Sequence, residues 1–189
     1  MESTDTPWAK SHDIRIKKKF DVPPSPAALF FHDFLKSRKI KRGRLVDLGC
    51  GNGRNAIYFA SNGFEVHGVD IAGESIIDLD LHAVTPHCHS VTEYWLFEDD
   101  FFDQAIDILC YSEQPSGGDK RTSYRNELKR TLKQSGFYLL SILSSGNPNN
   151  SKKPIEKEFF EFEIVKFEKG KDNLRGMSID TLNLIMKKK

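Results

Sequence analysis

The sequence predicts an α/β protein, a doubly wound and mostly parallel sheet with helices on both faces, and three observations between residues 44 and 70 carry that expectation. Leu45, Val46 and Leu48 form an apolar run broken only by Asp47, then stopped by Gly49, Gly51 and Gly53 in alternation. Such a run reads as a buried strand ending in a loop whose backbone comes close to something. From Asn55 the apolar residues Ala56, Phe59 and Ala60 recur at helical spacing, and Asn62–Gly63 supplies a stop. Phe64 to Val69 then reads as a second strand, closed by Asp70. Strand, glycine loop, helix, strand and acid make one βαβ unit with a nucleotide-sized notch at the carboxyl end of its strands.

Two ligand classes use such a unit, and the residues separate them. The dinucleotide fingerprint needs a small third residue where helix packs on sheet. Counted from Gly49, that place falls on Arg54, which is too large, and the third glycine comes one position early. An acid, Asp47, stands two residues before the first glycine. The stretch Asp47-Leu48-Gly49-Cys50-Gly51-Asn52-Gly53-Arg54-Asn55 resembles motif I of the class I S-adenosylmethionine-dependent methyltransferases. A tight turn with no ligand is the plain alternative, weakened because alternating glycines loosen packing unless something replaces the missing side chains. The resemblance implies S-adenosyl-L-methionine as cofactor. It sets Asp47, Gly49, Cys50, Gly51, Gly53, Arg54, Asn55, Asp70 and Ile71 along that ligand, with Ser90, Val91 and Tyr111 from later strand ends. Asp70 would accept the ribose hydroxyls, and Asp47 would sit near the sulfonium and ammonium end, where a carboxylate is electrostatically favourable.

Taken in order, residues 1–22 form a polar tail without periodicity, followed by a methyltransferase domain over 23–189. The tail carries Trp8, His12 and Phe20 and either folds over the cofactor or hangs free. Ser25 caps and Pro26 begins a leader helix whose Ala27, Phe30, Phe31, Phe34 and Leu35 form one apolar stripe. Residues 71–82 are helical in pattern but short, so the helix between strands two and three is trimmed relative to the family. His82, His87, Cys88 and His89 cluster without a standard zinc spacing, so a loop leading into a strand is expected and no metal. Strand three is expected over 87–91. The family's adenine-binding acid falls on Ser90, a weaker acceptor, with Glu93 as a substitute.

Phe102-Asp103 followed by residues 105–111 resembles strand four, whose end faces the methyl group. The Asn/Asp-Pro-Pro-Tyr motif of adenine and glutamine methyltransferases is missing there. Cys110 lacks the Pro-Cys or Thr-Cys setting of a pyrimidine-carbon enzyme, so it reads as a buried thiol. Glu113 and Tyr111 are the candidate bases, with His12 a distant third, against the alternative that they merely line the cleft. Residues 116–118 make a hinge, 119–134 a helix, 137–143 strand five, 144–153 a polar loop and 156–160 about two turns of helix. Residues 162–167 read as a strand, 169–176 as a loop and 179–186 as the last strand. The family's sheet order would be 3-2-1-4-5-7-6, with strand seven antiparallel.

A net charge of +1 gives no electrostatic case for nucleic acid or an anionic membrane. No apolar stretch approaches the ~20 residues of a membrane span, and the first residues have no signal-peptide pattern. Three scattered cysteines suit reduced thiols in the cytoplasm. The reading is a small-molecule methyltransferase acting by in-line transfer. Its alternatives are a non-catalytic binder of S-adenosylmethionine or S-adenosylhomocysteine, and, with less support, an RNA-modifying enzyme.

Overall fold

The computed structural model describes residues 22–114, 118–144, 150–174 and 176–189. The tail with Trp8, His12 and Phe20, the Ser116–Gly117 hinge and the Asn147–Pro148 turn lie outside the described residues. Helix α1 (Pro26–Ser37) begins as the sequence suggests: the Ser25 hydroxyl accepts the Ala28 N–H at 3.1 Å, and Pro26 fills the first turn. Its stripe of Ala27, Ala28, Phe31, Phe34 and Leu35 is buried. Strand β1 (Arg44–Leu48), helix α2 (Arg54–Ser61) and strand β2 (Glu65–Asp70) form the expected βαβ unit.

Seven strands make one sheet in the order β3-β2-β1-β4-β5-β7-β6, as the resemblance implies. Parallel pairs run from β3 (Val84–Cys88) through β2, β1 and β4 (Phe102–Ile108) to β5 (Leu132–Leu143). Strand β7 (Met177–Lys188) is antiparallel to both β5 and β6 (Phe162–Leu174). Side chains alternate between two cores, as a pleated strand requires. Leu45, Ile106, Leu139 and Ile185 join Phe31, Leu35 and Phe59 on the α1–α2 face. Val46, Ala105, Leu140 and Leu184 join Trp95, Tyr124, Leu128 and Phe159 on the other.

Several boundaries differ from the sequence reading, each for a physical reason. Strand three occupies 84–88 rather than 87–91, because its register on β2 pairs Val66 with Val84 and Asp70 with Cys88. Pro86 is tolerated there since β3 is an edge strand. The single helix expected over 71–82 is one turn, α3 (Gly73–Ile76), then a 3-10 turn at Leu79–His82. Strand four stops at Ile108, not Tyr111. Leu109 turns the chain at φ 74°, and the Asp107 carboxylate accepts the N–H groups of Cys110 and Tyr111, starting the short helix α4 (Cys110–Glu113). Helix α5 (Asp119–Thr131) ends three residues early, and helix α6 spans Lys152–Glu158.

The largest correction concerns 169–176, expected as a loop. Strand β6 runs through Leu174, and its final rungs pair Lys171 with Asp180, Asp172 with Ile179, Asn173 with Ser178 and Leu174 with Met177. The last β5 rung pairs Leu143 with Thr181, so these four β6–β7 rungs continue as a two-stranded arm beyond the end of β5. From Glu168 to Asn173 the β6 strand carries no apolar side chain, which erases the apolar alternation that marks a strand. None of the described helices is long and apolar enough to cross a membrane.

Candidate functional site

The notch at the carboxyl ends of β1, β2 and β4 is shaped by the glycine turn. The N–H groups of Gly49 and Cys50 both donate to the Val69 carbonyl, at 2.8 and 3.1 Å, tying the loop to β2. Gly49 has φ +72°, and a Cβ there would stand 2.5 Å from Cys110 Sγ. Gly51 has φ +54° but a Cβ would meet nothing within 4 Å. Its alpha carbon therefore faces open space from which a ligand can reach the backbone. Gly53, at φ 78°, caps α2.

Asp70 ends β2 and holds this turn in place. One carboxylate oxygen accepts the Gly51 N–H at 2.8 Å, and the other accepts the Ala72 N–H at 2.9 Å. Each oxygen keeps a second lone pair, enough for a vicinal diol. Asp47, one strand over, is 1% exposed and its Oδ2 has no hydrogen-bond partner. Burial pushes its pKa up to about 8, the charges of Asp107 and Asp70 add to the rise, and the Ala56 N–H and Arg54 oppose it. A buried carboxylate oxygen without a donor is costly unless a cation or N–H reaches it.

Asp107, near the end of β4 and close enough to Asp47 for its charge to raise that acid's pKa, carries no mark in the sequence reading. It stands one residue before the end of β4, accepts the Tyr124 hydroxyl at 2.7 Å, and burial lifts it to about 7 against that bond and the N–H groups of Cys110 and Tyr111. Its signal resembled that of Asp47: an acid inside the apolar run of a buried strand. Cys50 and Cys110 lie beside these acids, and burial, with the neighbouring carboxylates, pushes both thiols well up. They stay protonated, but only Cys50 is buried; Cys110, expected as a buried thiol, is partly exposed.

The remaining sequence candidates divide. Arg54 opens α2, and its Nη2 donates to Asp172 Oδ2 on the β6–β7 arm at 2.9 Å. Asn55 is buried, and its Oδ1 accepts the Ser25 N–H at 2.9 Å, which pins α1 to the glycine-loop helix. Ile71, just past Asp70, is 74% exposed. Ser90 lies two residues beyond β3 and bonds within its own turn, to the Thr92 N–H and hydroxyl. Val91 is buried in the core beside Trp95, whose indole N–H donates to the Val91 carbonyl.

Tyr111 is fully buried. Its hydroxyl donates to Glu158 and accepts from Arg125 at 2.8 Å, while the Arg121 guanidinium lies over its ring at 4.6 Å. Burial, with Glu158 alongside, drives its pKa upward. Glu113, at the end of α4, is exposed. His87 bonds His67 at 3.0 Å, and His89 donates to the Tyr94 carbonyl. Among the described residues no three acids, histidines or cysteines stand together as a metal site.

Comparison with known proteins agrees with this architecture. A family model described as tellurite resistance protein TehB matches residues 17–94. No curated protein matches the chain in sequence. Among solved structures, 1,6-didemethyltoxoflavin-N1-methyltransferase from Burkholderia thailandensis, holding 1,6-didemethyltoxoflavin and S-adenosylhomocysteine, superposes with a TM-score of 0.69 at 20% identity, covering 86% of this chain and 76% of that one. A SAM-dependent methyltransferase from Methanosarcina mazei gives 0.70 at 20% identity, covering 88% and 99%. A TehB-like SAM-dependent methyltransferase from Corynebacterium glutamicum gives 0.68 at 17% identity, covering 96% of each chain. The chain has the fold of the class I methyltransferases, as the motif around Gly49 implied.

Proposed function

We propose that this chain binds S-adenosyl-L-methionine in the notch at Gly51 and transfers its methyl group to a small-molecule acceptor. The observation that carries the reading is the pairing of an open glycine turn with two acids of different character. Asp70 is exposed enough to accept a ribose diol, and Asp47 is buried with an oxygen that lacks a donor. A nucleoside joined to a cationic amino-acid tail meets both needs, whereas a pyrophosphate would face Asp47 and Asp70 with like charge. When bound, the cofactor supplies a methyl group on a positively charged sulfur, so the acceptor displaces it in line.

The protein's own part is then orientation and exclusion of water, which are large contributions to such a displacement. Glu113 is the candidate to take a proton from an acceptor that carries one. Tyr111, with its hydroxyl held by Glu158 and Arg125, is assigned to setting the position of α4. A near-neutral charge favours a small acceptor over RNA. The TehB description brings tellurite into the set worth testing, beside thiols, hydroxyls and amines.

Titration with S-adenosylhomocysteine, followed by turnover with that acceptor panel read as S-adenosylhomocysteine release, tests both halves. Binding with turnover supports the enzyme, and binding without turnover on any acceptor supports the non-catalytic alternative. Asp70→Ala should weaken binding at least about a hundredfold, since it removes a charged acceptor and frees the Gly51 loop. An unchanged affinity counts against the site.

A further inference from the structure

The carboxyl end of the sheet holds a second depression, apart from the notch at Gly51. Strand β5 is parallel to β4, so Ser144, just past its last residue, stands at the same end of the sheet as the notch. The Ser144 N–H donates to the Asp180 carbonyl at 3.0 Å, which ties the end of β5 to the start of β7. Between that corner, the start of α6 and the β6–β7 arm lies a groove of about 760 Å³.

Strand alternation decides what lines it. Phe167, Lys169 and Lys171 pair with Leu184, Leu182 and Asp180, and Leu182 and Leu184 belong to the core that holds Tyr124. These lysines therefore share that face, while Asp172 takes the other face and meets Arg54. Lys152 joins from α6, with its ammonium 4.3 Å from the centre of the Phe167 ring. Three ammonium groups thus line the groove against the Asp180 carboxylate, with Glu156 3.6 Å from Lys152 on α6. Asp180 opposes Lys171 across a rung, yet neither Lys169 nor Lys171 has an ion pair among the described residues. Phe167, 50% exposed, and Leu182 supply an apolar wall. Asn150, 5% exposed, also lines the groove, and its amide oxygen has no hydrogen-bond partner. A buried amide oxygen in that state is costly unless a donor reaches it. Unpaired cations, an apolar wall and an acceptor in need of a donor match an organic anion with an N–H or O–H beside its charge.

Neighbouring strands lie about 4.8 Å apart. In the sheet order β7 and β6 stand two and three strands from β4. A molecule anchored in the groove that presents an atom at the end of β4 therefore spans roughly 10–14 Å. We infer that the groove anchors the methyl acceptor, and that the acceptor is an elongated organic anion. A carboxylate or phosphate at one end lies against Lys169 and Lys171, its apolar body runs along Phe167 and Leu182, and the nucleophile sits at the other end. The inference rests on the methyltransferase reading above and extends it from the cofactor to the class of acceptor. Lysine ammonium is a point charge that fits either anion, so experiment separates the two.

NMR titration of the isotope-labelled full chain, saturated with S-adenosylhomocysteine, tests this with three probes: N-octanoylglycine, its neutral counterpart N-octanoylglycinamide, and the short N-acetylglycine. N-octanoylglycine should shift the amide signals of Gly170 and Leu182 in the groove and those of Cys110 and Tyr111 past the end of β4. It should bind about tenfold or more tightly than the neutral amide. N-acetylglycine should shift the groove signals alone. A double variant, Lys169→Gln with Lys171→Gln, changes only exposed side chains. It should lose the preference for the anion while its affinity for S-adenosylhomocysteine stays the same. Octyl phosphate, titrated in the same way, decides between the two end groups, and a preference for either anion over the neutral amide supports the groove. Equal affinity for acid and amide, shifts confined to other surfaces, or an unaltered preference in the double variant overturns the inference while leaving the cofactor reading intact. Groove shifts from N-octanoylglycine without any at Cys110 and Tyr111 overturn it too, since the anion then fails to reach the methyl group. A chain that binds no S-adenosylhomocysteine overturns the cofactor reading itself, and the acceptor assignment with it.

Discussion

The part of the sheet built from β1, β2 and β3 and the part built from β4 to β7 meet at one crevice but are held by different forces. Around β1 and β2 the site is set by backbone: Gly49, Cys50 and Gly51 donate N–H groups to the Val69 carbonyl and the Asp70 carboxylate. Beyond β4 it is set by side chains, through Asp107 on Tyr124 and through Arg121 and Arg125 on Glu158 and Tyr111. Backbone hydrogen bonds tolerate changes of side chain as long as φ is allowed, so the first region keeps its shape through most substitutions outside its glycines. Side-chain networks depend on each partner, so the second region loses its geometry when any one member is replaced.

That contrast can be broken most severely at Gly49. A Cβ at φ +72° and 2.5 Å from Cys110 adds backbone strain to overpacking, so Gly49→Ala should cost about 3 kcal/mol or more in urea unfolding and abolish binding. Gly51→Ala carries the φ strain without the clash and should cost only about 1–2 kcal/mol. Equal losses at the two positions would mean that conformation alone, not contact with Cys110, governs the turn.

Next in size is the pH dependence from the buried acids. Burial lifts Asp47 to about 8 and Asp107 to about 7 in the folded chain. Both stand above their unfolded values of ~4. The native state therefore holds these protons more firmly than the unfolded state does. Their stabilisation is complete below about pH 4 and is lost as pH rises through 7 to 8, with a limiting slope of ~1.4 kcal/mol per pH unit for each group. Asp47→Asn should flatten the decline in unfolding free energy between pH 5 and 8. A cationic ligand favours the ionised carboxylate, so binding should release a proton near pH 7, measurable by calorimetry in buffers of different ionisation enthalpy. A flat stability profile in the wild-type chain argues that Asp47 is already ionised and paired.

The smallest effect should appear in the second region alone. Glu158→Gln removes the carboxylate that faces Arg121 and Arg125 and accepts the Tyr111 hydroxyl. Glu158 is partly solvated, so the loss should be about 1–2 kcal/mol in thermal or urea unfolding. Affinity for S-adenosylhomocysteine should stay the same while the Michaelis constant of the acceptor shifts. A parallel loss of cofactor affinity would show that the two regions are not separable.

Legibility in the sequence follows the same line. Short-range signals carried the βαβ unit: an apolar run, alternating glycines, a helical period and a closing acid all fall within residues 44–70. Ser25 and Pro26 announced α1 equally well. Strand three was misplaced because Thr85, Pro86 and His87 carry no apolar alternation, and only pairing with β2 sets its register. Tyr111 was assigned to the cleft because a strand was assumed to continue to it, whereas the Asp107 carboxylate turns the chain into α4 and sends that ring into the core.

The amino-acid sequence by itself determined the fold class, the strand order through its resemblance, the glycine turn and the two acids that flank it. These depend on residue type and near-neighbour spacing, which a linear chain states openly. Only the tertiary structure decided that Asp107 lies beside Asp47, that Asp47 keeps an unpartnered oxygen, and that Asp172 reaches Arg54 across 118 residues. Those features depend on burial and on contacts between distant strands. The free energy of such contacts arises only when the sheet closes and water leaves the strand ends.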